Sequence, residues 1–339
     1  MTAEAKIDIV IPARDAAQTL PACLTGLAAA GFAPEQITVV DDGSTDETPQ
    51  IARAAGVVLL PGAGRGAAAA RNQGSAHGHA PVILFVDADV VVGPDLRARL
   101  IASLTTHPDH AAIFGAYCAA PAAPGIVSRT RNLLHRHVHR ANAGEARTFW
   151  TGLGAVRRTA FDAVGGFDEN QRMMEDVALG MALIGAGYRI RLDPALQGTH
   201  LKHWSLTAML RADLFDRAIP WSRLMLRAPE GEGPGLNVSR AGQVSVLAAG
   251  AAVLGVLATP FTPVAILAIL AALAVLAAAN RAFLVDLHTT RGLWFAMGAL
   301  GVLWAHYLAG GAGYAWVRII ERPSPVSPAR TTRDRTAPR

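Results

Sequence analysis

Two carboxylates, Asp87 and Asp89, stand one residue apart at the end of the apolar run ILFVDADVV, residues 83–91. Asp commonly closes a turn after a strand through its own backbone. In an extended chain, however, residues two apart project to the same side, and two close carboxylates repel unless something positive lies between them. Hard oxygen ligands of this kind suit Mg²⁺ or Mn²⁺, ions that usually hold the phosphates of a substrate. The pair therefore predicts a phosphate-bearing ligand, and the rest of the chain must supply its other contacts.

The surrounding elements place further chemistry at the same edge. KIDIVIP at 6–12 is a β-branched run closed by Pro, a strand signal. Residues 18–29 carry Leu20, Leu24 and Leu27 at helical spacing. ITVV at 37–40 is a second strand ending on Asp41 and Asp42, and GSTDET after it offers a helix cap. Residues 57–60 read as a third strand, GAGRGAAAARNQG as a Gly-rich turn followed by an Ala-rich helix, and 82–86 as a fourth strand. Continuous apolar strands alternating with helices predict an α/β fold with a mostly parallel sheet covered on both faces. Ligands of such sheets bind beyond the carboxyl ends of the strands. There the sequence places Pro12, Ala13 and Arg14, then Asp41 and Asp42, then Asp87 and Asp89, with Arg71 on the helix leading in. A nucleotide needs acceptors for its base and ribose, cations for its diphosphate and carboxylates for a metal, and this inventory matches.

IVIPARD, VVDDGSTDET, GRGAAAARNQG and FVDADV, in this order and spacing, resemble the nucleotide-binding half of family 2 glycosyltransferases of the GT-A fold. TGLGAVRRTAF, GGFDEN and MEDVALGMAL resemble that family's acceptor half, so the resemblance covers roughly residues 5–225. It implies a donor that is a UDP- or GDP-linked sugar, bound through Pro12, Ala13, Arg14, Asp41, Asp42, Arg71 and Asp87. It implies a metal near Asp89 and His200, with His203 the competing choice. Gly152 and Glu175 then lie near the sugar and acceptor, and Asp176 resembles the general base of an inverting transfer. For Glu175 the helix dipole alone is a sufficient reason for an acid at that place. Neither GxGxxG nor GxxxxGK[ST] occurs, which argues against a dinucleotide enzyme and a P-loop. The rival classes are a membrane-anchored binding or scaffold protein that keeps the fold without the chemistry, and a nucleotidyltransferase.

The stretch NLLHRHVHRANAGEARTFW is read as a basic amphipathic helix at the surface or near lipid rather than a metal site, because a helix splays His135, His137 and His139. The 339 residues are 51% hydrophobic with a net charge of +5, and Lys occurs only at Lys6 and Lys202. No basic stripe interleaves with aromatics, so nucleic acid is not expected as a partner. Cys23 and Cys118 lack metal-type spacing and fit a reducing compartment. MTAEAK runs directly into IDIVIP, so no signal peptide is expected.

From Val244 onward the sequence is almost continuously apolar. The expected organisation is a catalytic domain over 1–230, including an Arg- and Trp-bearing interfacial helix at about 204–227, then two to three transmembrane helices over 240–320, then a disordered basic tail at 321–339. Residues 244–258 and 264–279 read as a hairpin of two short spans, 280–291 as an interfacial segment and 293–320 as a third span. Three spans would put the Arg-rich tail outside, against the positive-inside rule, unless the third block is re-entrant. The expected location is the cytoplasmic membrane, multi-pass, with the catalytic domain facing the cytoplasm. Because the basic helix couples the acceptor half to the spans, the expected acceptor is a membrane lipid.

Overall fold

A computed structural model describes residues 6–227 and 239–321. The first half alternates as the pattern requires. It runs β1 (Ile7–Ala13), α1 (Leu20–Ala29), β2 (Ile37–Asp41), α2 (Thr48–Ala54), β3 (Val58–Pro61), α3 (Ala67–His77) and β4 (Val82–Val86). These four strands are parallel in the order β3-β2-β1-β4. Successive side chains alternate between two cores, as the pleat demands. Ile7, Ile9 and Ile11 of β1 face Leu20 and Leu27 of α1, whereas Val10 joins Ile83 and Phe85 on the other side.

The second half is mixed. It contains β5 (Val90–Val92), α4 (Leu96–Thr106), β6 (His110–Tyr117), α5 (Ile126–Ala141), β7 (Gly144–Ala146), β8 (Leu153–Arg157), α6 (Arg158–Ala163), α7 (Glu175–Gly185) and β9 (Arg189–His200). The sheet continues β4-β8-β6-β9-β5, with β8 antiparallel to both its neighbours and β7 added on β9. The parallel sheet expected from the sequence is thus its first four strands. β8 inserts beside β4 and reverses direction, so the sheet beyond it is not a continuation of the same alternation. β9 runs on to His200, where it pairs antiparallel with β5.

Of the basic amphipathic helix expected at the surface or near lipid over 132–150, the structure keeps the helix as far as Ala141 but does not leave it as a surface helix. α5 turns His135 and His139 into the protein: their ring centroids are 3.9 Å apart, beside Tyr117 and Trp150, and His139 Nδ1 donates to the Gly115 carbonyl at 2.8 Å. His137 lies on the opposite face of α5, 5.3 Å from Phe283. The three histidines splay as the helical period requires, but two of them are covered by β6, the strand just before this helix.

The C-terminal part contains α8 (Leu206–Arg211), a π-helical stretch (Ala212–Ala218), α9 (Ile219–Arg227), α10 (Arg240–Ala258), α11 (Val264–Ala279), α12 (Arg281–Arg291) and α13 (Leu293–Trp316), which a further π turn extends to Glu321. The extended α13 and α10 are each long and apolar enough to cross a membrane. α11 and α12 reach that length only together, and they bend by 81° at their junction. The Gly-rich linker expected at 229–235 and most of the basic tail lie outside the described residues.

α13 lies alongside α8–α9 rather than standing apart. Met209 packs with Val302 and Ala305, Asp213 accepts from His306 Nδ1 at 2.9 Å, and Arg223 meets both carboxylate oxygens of Glu321. At Gly313 an added Cβ would sit 2.5 Å from the Ala218 Cβ, so the two helices touch backbone to backbone. The helix expected to present its arginines to headgroups therefore commits much of that face to protein: Arg223 is paired with Glu321, and Arg217 lies 4.0 Å from the buried Asp213.

Candidate active site

The parallel pairing of β1, β2 and β4 brings the three strand ends to one edge, as expected. The acidic pair, however, is not extended. Asp87-Ala88-Asp89 forms a tight turn closed by the Val90 amide donating to the Asp87 carbonyl at 3.0 Å. The two carboxylates consequently take different partners. Asp87 Oδ1 accepts from Arg71 Nη2 at 2.8 Å, and Asp89 Oδ2 lies 3.3 Å from His200 Nε2.

Arg71 occupies the middle of the site. Its side chain is only 5% exposed, and its second terminal nitrogen donates to Glu175 Oε1 at 2.6 Å. The sequence suggested a cation for a diphosphate. In the structure Arg71 links the end of β4 to the first turn of α7 by bridging the carboxylates of Asp87 and Glu175. Even so, burial lifts the Asp87 carboxyl above its usual range.

Asp176 follows Glu175 and is half-buried. Burial, reinforced by the charge of Glu175, pushes its carboxyl up to about 7, against the pull of Arg71. One oxygen accepts the amide of Val177 at 2.8 Å. Met174, just before this pair, is held in the left-handed region at φ 63°. Local strain of this kind persists where the surroundings over-determine it, and here it sets the angle at which α7 presents both acids.

His200 sits where β9 ends, opposite Val90 in the β5 pairing, which is why it reaches Asp89. Burial pushes the Asp89 carboxyl up, but the hydrogen bond and charge of His200, with Lys202 beyond, outweigh it and hold the group below its usual range. His203, the alternative, is exposed. Among the described residues no group of three or more His, Cys, Asp and Glu converges as an ion site. The Asp89–His200 pair offers one hard oxygen and one ring nitrogen side by side. That donor set fits Mg²⁺ or, with its nitrogen, better Mn²⁺, provided a ligand's oxygens complete the shell.

On the donor side, the carboxylate of Asp42 is buried and already used: it accepts the amides of Arg65 and Gly66 at 3.1 and 2.8 Å. It therefore holds the Gly-rich turn. Asp41 accepts the Ser44 amide at 3.2 Å and stays half-buried at the edge. Pro12 and Ala13 end β1, where the Ala13 carbonyl accepts from the Asp42 amide at 2.8 Å; Arg14 is exposed. On the other side, Gly152 is buried under the Trp150 indole, and a Cβ there would strike the ring. The Gly152 carbonyl accepts the Asp87 amide at 3.4 Å, which ties this loop to the acidic turn.

Sequence reasoning missed three residues. Tyr117 stacks on His200 with centroids 4.8 Å apart, Trp150 packs edge-on against Tyr117, and Asn132 Oδ1 lies 2.9 Å from His200 Nδ1. Their only signal was an aromatic or amide in otherwise ordinary segments.

Residues 8–165 match the family model described as Glycosyl transferase family 2. The chain is 39% identical over 110 residues to the succinoglycan biosynthesis protein ExoU of Rhizobium meliloti, covering 30% of this chain and 32% of that protein. It is 25% identical over 208 residues to the probable glycosyltransferase YdaM of Bacillus subtilis, covering 56% of this chain and 49% of that one. The match thus spans half or less of the length of either relative. The mannosyltransferase PcManGT of Pyrobaculum calidifontis, solved with GDP-Man and Mn²⁺, superposes with a TM-score of 0.58 at 18% identity, over 93% of this chain and 88% of that one. Residues 8–165 thus match a glycosyl transferase family 2 domain, and the fold is the GT-A fold of that mannosyltransferase.

Proposed function

We propose that the protein transfers a sugar from a nucleoside-diphosphate sugar to a hydroxyl acceptor with inversion, using a divalent cation. The observation that carries this reading is the place of Asp176, in the first turn of α7 beside the Asp87–Arg71–Glu175 chain, where burial pushes its carboxyl up to about 7. A base must be close to half-ionised at working pH to accept a proton efficiently. As the acceptor oxygen attacks the anomeric carbon from the face opposite the diphosphate, Asp176 takes the hydroxyl proton, the new glycosidic bond forms, and the bond from that carbon to the diphosphate breaks. Asp89 and His200 would hold the cation, which when bound neutralises charge on the departing diphosphate. Arg71 keeps Asp87 and Glu175 fixed while this happens. The mannosyltransferase of the same fold, solved with GDP-Man and Mn²⁺, supports a donor and metal of this class.

Two features support a lipid acceptor. The α10–α11 hairpin exposes Leu254, Leu257, Phe261, Val264 and Leu267, a surface suited to hydrocarbon. α13 packs directly against α5, the helix that reaches the site through Asn132. The protein is read as held at the cytoplasmic membrane, with its catalytic domain in the cytoplasm.

Membranes containing the full chain, supplied with radiolabelled UDP- and GDP-sugars, test the proposal. Nucleoside diphosphate released together with label extracted into organic solvent is the expected result. Pyrophosphate would identify a nucleotidyltransferase. Donor binding without turnover would identify a scaffold, and label confined to the aqueous phase would exclude the lipid.

A further inference from the structure

We infer that Asn132 is a positioning residue for His200, fixing which ring nitrogen carries the proton and so turning the other, with its lone pair free, toward Asp89. The inference rests on the reading of Asp89 and His200 as the cation-holding pair.

The hydrogen-bond geometry leads to this. Asn132 Oδ1 lies 2.9 Å from His200 Nδ1. An amide oxygen only accepts, so Nδ1 must be the protonated nitrogen. In the neutral ring Nε2 then bears a lone pair. That nitrogen is 3.3 Å from Asp89 Oδ2, which also has only lone pairs to offer when ionised. Something positive must lie between them: a ring protonated on both nitrogens donates Nε2–H to Asp89, and a divalent cation takes the place of that proton. The ring cannot easily turn away, because it is 9% exposed and stacks on Tyr117 with the planes 10° apart.

The burial of Asn132 strengthens the argument. The residue is 2% exposed, and its Nδ2 has no hydrogen-bond partner. Leaving that group unsatisfied costs stability, which a leucine of similar size would avoid. What the amide adds at this place is the oxygen directed at His200. Its seat is rigid: the adjacent Arg131 donates to Asp213 at 2.6 Å and lies 4.2 Å from the Trp204 ring centroid. A partner that holds the far nitrogen of a ligating imidazole is the usual means of setting its orientation and basicity, and its loss typically weakens metal affinity about 10–100-fold.

The test uses the full chain in detergent and MnCl₂ titrations followed by electron paramagnetic resonance, with GDP in one series and UDP in another. Asn132→Leu should weaken Mn²⁺ binding about 10–100-fold, with an unfolding midpoint equal to or above that of the parent. Asn132→Asp, which still accepts from Nδ1, should recover most of the affinity. In a His200→Ala background, Asn132→Leu should cause no further loss, since its effect passes through the ring. The inference is overturned if Asn132→Leu binds Mn²⁺ as the parent does while His200→Ala does not. It is also overturned if the two losses are independent and add. If the parent fails to bind Mn²⁺ in both series, or His200→Ala leaves binding unchanged, the cation reading of the pair falls and the role of Asn132 falls with it.

Discussion

Arg71 and Glu175 are 104 residues apart in the chain and joined by a 2.6 Å hydrogen bond in a site where Arg71 is almost fully enclosed. The same guanidinium reaches Asp87, so one cation fastens the acidic turn after β4 to the helix that carries Asp176. Removing one partner of a buried ion pair costs more than the pair contributes, because the remaining charges stay buried. Arg71→Ala should therefore lower stability by about 3 kcal/mol, measurable by urea unfolding in detergent, and abolish turnover. Arg71→Lys keeps the charge but cannot bridge two carboxylates with a planar fork, so it should recover only part of the stability.

The raised carboxyl of Asp176 predicts a pH profile. Below about 7 the group is protonated and cannot accept the acceptor's proton. Hence kcat/KM should fall about tenfold per pH unit below that point and level off above it. Stability runs the other way. A carboxyl whose folded pKa is raised from 3.8 contributes stability that is present below that value and lost as pH rises through about 7. Asp176→Asn should accordingly match the parent in stability near pH 4, exceed it near pH 8, bind donor normally and lose turnover by about 10²–10⁴-fold. A parent profile that is flat from pH 5 to 8 would refute the assignment.

Asp42 makes a different prediction, because its two oxygens hold the amides of Arg65 and Gly66. Hydrogen bonds to a charged group contribute roughly 1.5–3 kcal/mol each. Asp42→Ala should free the Gly-rich turn and raise donor KM with a smaller change in kcat. Asp42→Asn keeps an acceptor oxygen for one of those amides and should fall between. Measuring KM for several nucleotides separates this role from base reading: a shaping residue changes all of them alike, whereas a base-reading residue changes their ranking.

The parts legible in the sequence were those fixed locally. β1 to β4 announced themselves through short β-branched runs, and their parallel pairing placed Asp41, Asp42, Asp87 and Asp89 at one edge without any tertiary information. What stayed hidden depended on how the elements pack against one another. Arg71 reads as an ordinary helix cation until Glu175 arrives to enclose it. His135 and His139 look like a basic surface until β6 covers them. Asn132 lies among His and Arg residues and gains meaning only because β9 runs on to His200. The choice between His200 and His203 was likewise a matter of where that strand stops.

The last prediction concerns how the apolar third meets the membrane. α8–α9 and α13 run side by side in the same direction, with Met209 near Val302, Asp213 near His306, Ala218 near Gly313 and Arg223 near Glu321. If α13 crossed the bilayer, α8–α9 would enter with it and carry Arg211, Asp213 and Arg217 to membrane depth. Each such charge costs about 2.5–3.5 kcal/mol at the centre of a span. α10 touches α13, with Trp304 Nε1 donating to the Ala249 carbonyl at 3.2 Å, but beyond Arg240 at its start neither α10 nor α11 carries a charged side chain of its own. α10 has 19 residues and α11 has 16, which at 1.5 Å per residue gives about 28 and 24 Å, so α10 matches the hydrocarbon thickness while α11 falls short of it and relies on local thinning of the bilayer. The hairpin should therefore insert while α13 lies along the interface with the catalytic domain, so that the third apolar block does not reverse the side of the chain. Single substitutions Phe261→Cys, Trp294→Cys and Ile320→Cys, at exposed positions in the hairpin tip and near the two ends of the extended α13, can be made in a Cys118→Ser background, where the remaining Cys23 is buried. A membrane-impermeant maleimide should label position 261 from the face opposite the catalytic domain, and positions 294 and 320 from the same face as that domain. Labelling of 294 and 320 from opposite faces would mean that α13 crosses and that its packing against α8–α9 does not survive in the bilayer.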